Sequence, residues 1–256
     1  VQRGRAARAK GDRGNLGNGG SMSYSTWHIR SLVKLDPLNC ETVLLELLNE
    51  PEYERDVATE LSRQVAPPAT TDPFIRKVDY ERIWKARSGV REELNRERRD
   101  RYASALKDRI EAIFKQRSGI EQARHYDYRL RNLGVALAKL DSHGSSNEVF
   151  KVMALPDEWD NYGRVEAFEA LLFGGVVLPT ESTMTLMDPC LERWRKYGVQ
   201  QQDQWLLKRY LCLLPFVDDP AKGIERMQQL ISELRICGYE LREVVDALGH
   251  SRCDQV

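Results

Sequence analysis

Apolar residues along this chain recur at the three- and four-residue spacings of an α-helix, from Trp27 nearly to the C-terminus. The clearest stripe runs along a charged segment over residues 90–118 and consists of Tyr102, Leu106, Ile110, Ile113 and Phe114. Asp36-Pro37 ends an earlier stripe, because a proline disfavours the helical conformation of the residue before it. The sequence has no alternating apolar and polar run of useful length. The pattern therefore predicts an all-α protein.

Ten segments combine an apolar stripe with residues that begin or end helices. They are residues 27–35, 43–48, 90–118, 128–140, 147–155, 165–173, 181–197, 205–214, 220–237 and 241–248. Asp219-Pro220 predicts a helix start, with Asp as the N-cap and Pro at the first helical position, and Gly238 predicts the end of that helix. Gly174 to Pro179 is interpreted as a loop, and Pro67-Pro68 with Asp72-Pro73 as an internal linker.

The two halves of the chain contain an internal repeat that appears when the sequence is shifted by 105 residues without a gap. The shift places Leu32–Asp36 on Leu137–Asp141, Leu44–Leu48 on Val149–Met153, and Pro51-Glu52 on Pro156-Asp157. Each copy is a helix that breaks after Lys-Leu-Asp, a second apolar helix and a proline; Leu213 to Pro220, followed by the Ile224 helix, is a looser third version. One helix pair cannot bury its apolar face alone, so repeated pairs predict a stacked solenoid.

The residues Asp160 to Gly174, DNYGRVEAFEALLFG, resemble the second helix of a HEAT repeat, with Arg-Val at its entry, Ala at close helix contacts, and Leu with Gly at its exit. Val244 to His250 resembles the same exit. The stretch from Tyr126 to Asp254 is similar to the helical-repeat regions found beside NACHT-type signalling NTPases in bacteria. The resemblance implies a HEAT-like α-solenoid of stacked antiparallel helix pairs and a role in a bacterial signalling or defence system. The chain has no phosphate-binding GK[ST] motif, so we expect it not to hydrolyse ATP.

These features divide the chain into four parts. Residues 1–26 are basic and poor in apolar residues, and they are expected to form a disordered tail. Residues 27–66 are interpreted as an N-terminal helical hairpin region and residues 74–125 as a segment with a long charged helix. Residues 126–256 are interpreted as the HEAT-like helical repeat array.

The charge of the chain is balanced, with 39 basic and 39 acidic residues, but it is unevenly distributed. Arg91, Arg98 and Arg101 are spaced by seven and three residues, so they share one face of the predicted helix beside Arg87. These four arginines are the candidate partner-binding residues. Nucleic-acid binding through the Arg-rich helix at 87–101 is the alternative function. The acidic residues interleaved with the arginines, and the lack of aromatic side chains for base stacking, also fit a solvated helix face.

Other candidate chemistry gives no catalytic or metal site. The four histidines, His28, His125, His143 and His250, have no metal-binding spacing, and His250 with Cys253 would form only half a site. Asp141-Ser142-His143 is interpreted as a polar turn, since triad side chains converge from separate elements. The acidic cluster over residues 157–160 is interpreted as a helix N-terminal cap. We therefore expect no enzymatic activity, although a hidden catalytic site remains a third hypothesis, and we expect no cofactor.

The remaining composition favours a cytoplasmic protein that binds another protein. Five cysteines are scattered without CxxC spacing, and four lie in or beside helical apolar runs, which predicts buried, reduced thiols. The longest apolar stretches, such as Leu171 to Leu178, are far shorter than a membrane span, so no membrane association is expected. The tryptophans, Trp27, Trp84, Trp159, Trp194 and Trp205, are expected to pack in the core, and an exposed one would be suited to anchor a partner.

Overall fold

The computed structural model describes residues 24–36, 39–65, 92–117, 124–155, 161–199, 201–236 and 244–245. Within these ranges there is no β-strand, and the only β-type pairing is an isolated parallel bridge between Leu178 and Val217. The prediction of an all-α protein is confirmed.

Eleven α-helices with the following bounds are found in the described ranges. They are α1 Tyr24–Leu35, α2 Cys40–Leu48, α3 Glu54–Val65, α4 Glu92–Arg117, α5 Arg124–Leu140, α6 Ser146–Met153, α7 Asn161–Phe173, α8 Thr180–Met184, α9 Asp188–Tyr197, α10 Gln201–Leu213 and α11 Pro220–Glu233. A short 3-10 turn, Leu214–Phe216, follows α10. The long charged helix predicted over residues 90–118 corresponds to α4, and the apolar stripe Tyr102, Leu106, Ile110 and Ile113 is buried.

Three sequence predictions about helices were wrong. The segment 54–65, which was given no helix, forms α3. The helix predicted over residues 181–197 is two helices, because Asp188-Pro189 begins α9 and a proline cannot continue the hydrogen-bond ladder of a preceding helix. The helix predicted to end at Gly238 ends at Glu233, where Arg235 adopts a left-handed conformation with φ of 52°. The predicted linker at Pro67–Pro73, the tail before residue 24, and most of the helix predicted at 241–248 lie outside the described residues.

Helices α1–α3 and α5–α7 have matching local structure, and we call them the first and second units. Under the 105-residue shift, α1 and α5 end at the same position, and so do α2 and α6. The aspartate that follows the first helix caps the next turn in both units. Asp36 Oδ1 accepts a hydrogen bond from Asn39 N at 3.1 Å, and Asp141 Oδ1 accepts one from Gly144 N at 3.0 Å.

The buried positions of the two units also correspond. Leu44 and Leu48 of α2 are buried like Val149 and Met153 of α6, their counterparts under the shift. The third helices correspond when the shift is raised to 110 residues, which aligns the buried residues Val57, Ala58 and Leu61 with Ala167, Phe168 and Leu171. The second unit therefore has five more residues than the first between corresponding positions of its second and third helices.

Helix α5 occupies the centre of the packing. It contacts α3 and α4 on the N-terminal side of the chain and α6 and α7 on the C-terminal side. Helix α7 then packs on α10, and α11 packs on α8 and on the 3-10 turn. Helices that contact one another are thus close in chain order, so the core extends along the chain from unit to unit.

A buried ionic cluster joins the three helices on the N-terminal side of this core. Glu54 of α3 is 2% exposed and accepts hydrogen bonds from two arginines. Arg109 Nε of α4 lies 2.7 Å from Glu54 Oε2, and Arg129 Nη2 of α5 lies 2.8 Å from the same oxygen. Such hydrogen-bonded pairing offsets the large cost of removing the charges from water. The cluster fixes α3, α4 and α5 relative to one another.

Candidate protein-binding surface

An exposed aromatic pair lies where α7 meets α10. Tyr162 is in the first turn of α7 and Trp205 is in the second turn of α10, and contact between these helices brings the two rings together. Their centroids are 5.2 Å apart and their planes are inclined by 22°, which is a stacked arrangement. Tyr162 is 45% exposed and Trp205 is 43% exposed. The two rings therefore pack against each other, while a large apolar area of each ring stays in contact with water.

The guanidinium of Arg209 completes this cluster. Arg209 lies one helical turn after Trp205, and its Cζ is 4.1 Å from the centre of the indole ring, a cation–π contact. Its Nε donates a hydrogen bond of 2.6 Å to Oε1 of Glu169, which is a buried residue of α7. Burial lowers the pKa of Arg209, and the nearby Glu166 and Tyr162 oppose that effect. A guanidinium remains charged in proteins, so two exposed aromatic rings lie beside a largely buried cation that is paired with Glu169.

A second ion pair borders the aromatic pair. Glu166, on the turn of α7 after Tyr162, accepts a hydrogen bond of 2.5 Å from Lys139 Nζ of α5. Glu169 and Glu166 thus hold cations from α10 and α5 on two sides of α7. The two partners of each ion pair come from different helices. The positions of the aromatic rings therefore depend on how these helices pack.

One member of this cluster was singled out from the sequence, and two were not. Trp205 was expected to pack in the core and, if exposed, to be suited to anchor a partner. The prediction of core packing is wrong for Trp205 and for Trp27, which are 43% and 56% exposed. Packing is confirmed for Trp194, which is 1% exposed and donates a hydrogen bond of 2.9 Å from Nε1 to Asp203. Trp84 and Trp159 lie outside the described residues. Tyr162 and Arg209 were not singled out, although the spacing of four residues between Trp205 and Arg209 is visible in the sequence.

The structure brings two of the four candidate arginines together at one carboxylate. Arg101 donates to both oxygens of Glu41 of α2, with Nε–Oε1 at 2.7 Å and Nη2–Oε2 at 3.3 Å. Arg98 Nε lies 3.5 Å from Oε2 of the same residue. Arg87 and Arg91 lie outside the described residues. Arg98 and Arg101 therefore attach the N-terminal half of α4 to α2, while half of the Arg101 side chain stays exposed.

The loop that was considered for a catalytic triad forms a capping turn. Asp141 accepts hydrogen bonds from Ser145 Oγ at 2.6 Å and from Gly144 N, and it pairs with Lys107 Nζ of α4 at 3.4 Å. Partial burial raises the pKa of Asp141, but these hydrogen bonds and the lysine charge outweigh burial and hold the pKa below its usual value. The carboxylate stabilises the turn between α5 and α6. This agrees with the interpretation of Asp141-Ser142-His143 as a polar turn.

The remaining sequence candidates concern metal ligands and cysteines, and the structure adds one cavity in the described part of the chain. No group of three or more His, Cys, Asp or Glu side chains is placed to hold a metal ion there. Cys40, Cys190 and Cys212 are buried and form no disulfide bond, as predicted for these thiols. A cavity of about 150 Å³ between α10 and the end of α11 is lined mainly by aliphatic residues and contains no histidine. The acidic cluster at 157–160 and the residues His250 and Cys253 are outside the described ranges.

Comparison of the chain with protein-family models, with curated proteins and with solved structures gave no match. None of the described helices is long and apolar enough to cross a membrane.

Proposed function

We propose that this protein is a non-enzymatic scaffold or sensor region that binds another protein through the exposed cluster of Tyr162, Trp205 and Arg209. Tyrosine, tryptophan and arginine are the residues enriched at the energetic centres of protein interfaces. Here all three lie in one cluster, and the ion pair of Arg209 with Glu169 joins α10 to α7 beside the stacked rings. A partner would gain buried aromatic area at a small entropic cost, because the stack and the cation–π contact already restrict the side chains.

A HEAT-like α-solenoid is the architecture that we propose for this scaffold. The support is the correspondence between the first and second units and the packing of helices in chain order. In such an array, extended surfaces built from successive helices serve as binding sites. The resemblance to repeat regions beside bacterial NACHT-type NTPases leads us to propose a cytoplasmic role in a signalling or defence system.

Protein binding is favoured over nucleic-acid binding by the surroundings of the Arg-rich helix. Glu41 offsets part of the charge of Arg98 and Arg101, which reduces the field that would attract phosphates. The aromatic cluster lies on α7 and α10, whereas Arg98 and Arg101 lie on α4 and pair with Glu41 of α2. The aromatic rings that would stack nucleic-acid bases and these two arginines thus belong to different helices.

Affinity capture with substituted chains tests the proposal. Wild-type protein and the variants Trp205→Ala, Tyr162→Ala and Tyr197→Ala are each used as bait in an extract of the source organism. Bound proteins are cross-linked to the bait and recovered at high salt. Tyr197 is 65% exposed, carries its own cation–π contact with Lys196 and lies on α9, so it is a matched aromatic control on another helix. We expect a captured protein that is lost from the two cluster variants and retained by the control.

Binding of the purified partner is then measured by calorimetry. Each cluster substitution is expected to weaken binding by about 2 kcal/mol, as for residues at the centre of an interface. Capture that does not depend on Trp205 and Tyr162, or retention on heparin that falls steeply with salt, would contradict the proposal and favour the nucleic-acid alternative.

A further inference from the structure

The cavity of about 150 Å³ lies between α10 and the segment that follows α11. Four of its described lining residues belong to α10, where their spacing places them on one face of the helix: Gln204, Leu207, Lys208 and Leu211. The others are Val199, which precedes α10, and Leu234, Arg235 and Ile236, which follow α11. Trp205 and Arg209 are not among the lining residues, so the cavity is separate from the aromatic cluster.

A left-handed residue lies in the wall that follows α11. Arg235 has φ of 52°, and Ile236 N donates a hydrogen bond of 3.1 Å to Ile231 O, as in helices that end on a left-handed residue. Glycine is the usual residue at such a position, because it adopts positive φ without a steric cost, and the end of α7 has Gly175 there. An arginine kept in a conformation that glycine would adopt at lower cost points to a role for its side chain.

The polar residues that line the cavity can all donate hydrogen bonds. Gln204 and Lys208 are one helical turn apart on α10, and Arg235 comes from the opposite wall. None of the described lining residues is acidic. Glu233, at the end of α11, pairs with Arg195 of α9 at 2.9 Å, and within the described ranges no carboxylate pairs with Arg235. The cavity thus combines aliphatic walls with basic residues.

We propose that this cavity binds a small carboxylate with an aliphatic tail, and that Arg235, Lys208 and Gln204 hold the carboxylate. Apolar cavities with a few polar groups that fix the orientation of the ligand are typical of small-molecule sites. A guanidinium binds a carboxylate through two parallel hydrogen bonds, which explains an arginine at this position. A cavity of roughly 150 Å³ accommodates an apolar group the size of benzene, so the tail has about five or six carbons. This site goes beyond the proposed protein-binding function and does not depend on it.

Hexanoate is the probe, and it is titrated into the full chain with isotopically labelled leucine and isoleucine methyl groups for NMR. We expect saturable shifts of the methyl signals of Leu207, Leu211, Leu234 and Ile236, and no shift for Leu35 on α1. Each methylene removed from the tail should weaken binding by about fourfold. Hexanol, which has no charge, and hexylamine, whose charge has the opposite sign, should bind at least about tenfold more weakly. Equal affinity for hexanol and hexanoate would mean that the cavity does not recognise a carboxylate, which overturns the proposal.

Arg235→Gly separates binding from folding. This substitution removes the guanidinium and also relieves the left-handed backbone, so the variant should be at least as stable as the wild type. We expect it to bind hexanoate about tenfold more weakly or less tightly still. Arg235→Lys keeps the charge without the two parallel hydrogen bonds, and it should retain part of the affinity. Thermal unfolding of each variant checks that a loss of binding is not a loss of the fold.

A negative charge placed at the cavity tests the sign of the ligand. Gln204 is exposed, and Gln204→Glu is expected to weaken binding of hexanoate by about tenfold through repulsion of like charges. Gln228→Glu is the matched control, because it makes the same exchange at an exposed position of α11 outside the lining, and it should leave the affinity unchanged. Absence of saturable shifts in the wild type, or an affinity that is unchanged in both Arg235→Gly and Gln204→Glu, overturns the proposal.

Discussion

Glu54 is a single carboxylate that faces two guanidinium groups inside the protein. A buried ion pair adds little stability compared with a well-packed apolar pair, because both ions lose their hydration. Removing one partner is different, since the remaining charge is left buried without compensation. In this cluster the acidic partner is shared, so its removal would leave Arg109 and Arg129 close together with like charge.

We therefore expect Glu54→Gln to lower the free energy of unfolding by about 3–5 kcal/mol. Glutamine keeps the size of the side chain and can still accept a hydrogen bond, so the loss reports on the charge. Urea unfolding followed by circular dichroism measures the change. Glu111→Gln is the control, because the pair of Glu111 with Lys115 lies on the exposed side of α4 and its loss should have almost no effect. Equal midpoints for the two variants would show that the cluster is not important for stability.

Asp141 gives a dependence of stability on pH. Its pKa in the folded protein is lower than the usual value of 3.8, so the folded state binds the proton less readily than the unfolded state. The carboxylate therefore stabilises the fold above that value, and its contribution is lost as the pH falls through the folded pKa. We expect Asp141→Asn to destabilise the protein near neutral pH. The difference from the wild type should shrink below about pH 4. A difference in urea midpoint that stays constant from pH 7 to pH 3 would show that charge is not involved.

Two helices end in the same backbone motif with different residues in the left-handed position. At the end of α11, Arg235 has φ of 52°, Ile236 N donates to Ile231 O at 3.1 Å, and Arg235 N donates to Ser232 O at 3.3 Å. At the end of α7, Gly175 has φ of 85° and the equivalent two hydrogen bonds are present. A left-handed conformation costs a residue with a Cβ about 1–2 kcal/mol, whereas glycine adopts it freely.

Arg235→Gly is expected to stabilise the protein by several tenths to about 1 kcal/mol, because relief of this strain exceeds the entropy that glycine loses on folding. Gly175→Ala is expected to destabilise it by about 1 kcal/mol or more for the reverse reason. Thermal unfolding of both variants provides the measurement, with Gln228→Ala on the exposed side of α11 as a control for small changes of helix propensity. Stabilisation by Gly175→Ala would mean that the end of α7 is not fixed in this motif.

These elements also show which features could be predicted from the sequence. The end of α1 before Asp36-Pro37 and the start of α11 at Asp219-Pro220 depend on local backbone preferences, so both were predicted correctly. Helix α3 was missed because Glu54 and Ser62 occupy buried positions, which breaks the apolar stripe that would mark a helix. Tyr162 and Trp205 come from different helices, and their contact depends on how α7 packs on α10. Periodicity reports only on residues within one helix.

The extent to which helices are buried differs between the centre of the packing and α1: residues of α5 are more buried than those of α1. Helix α5 has neighbours on both sides, and Leu130, Leu133 and Leu137 are completely buried. Helix α1 packs on α2 and α3, and among its residues 26–35, whose burial is described, only Ile29 is buried. In an array whose helices contact mainly their neighbours in chain order, local stability depends on the number of neighbours each helix has. The helix at the edge should therefore open more readily than the helix at the centre.

Native-state hydrogen exchange tests this difference between α1 and α5. We expect the most protected amides in α5 to exchange only by global unfolding, and those of α1 to exchange through local opening with a free energy lower by about 2 kcal/mol or more. Leu35→Glu should leave this exchange almost unchanged, because Leu35 makes few contacts that opening would break. Leu137→Ala should lower protection in α5 and in the helices packed on it, since it leaves a cavity in the centre of the core. Equal protection in α1 and α5 of the isolated chain would mean that α1 is already covered in solution.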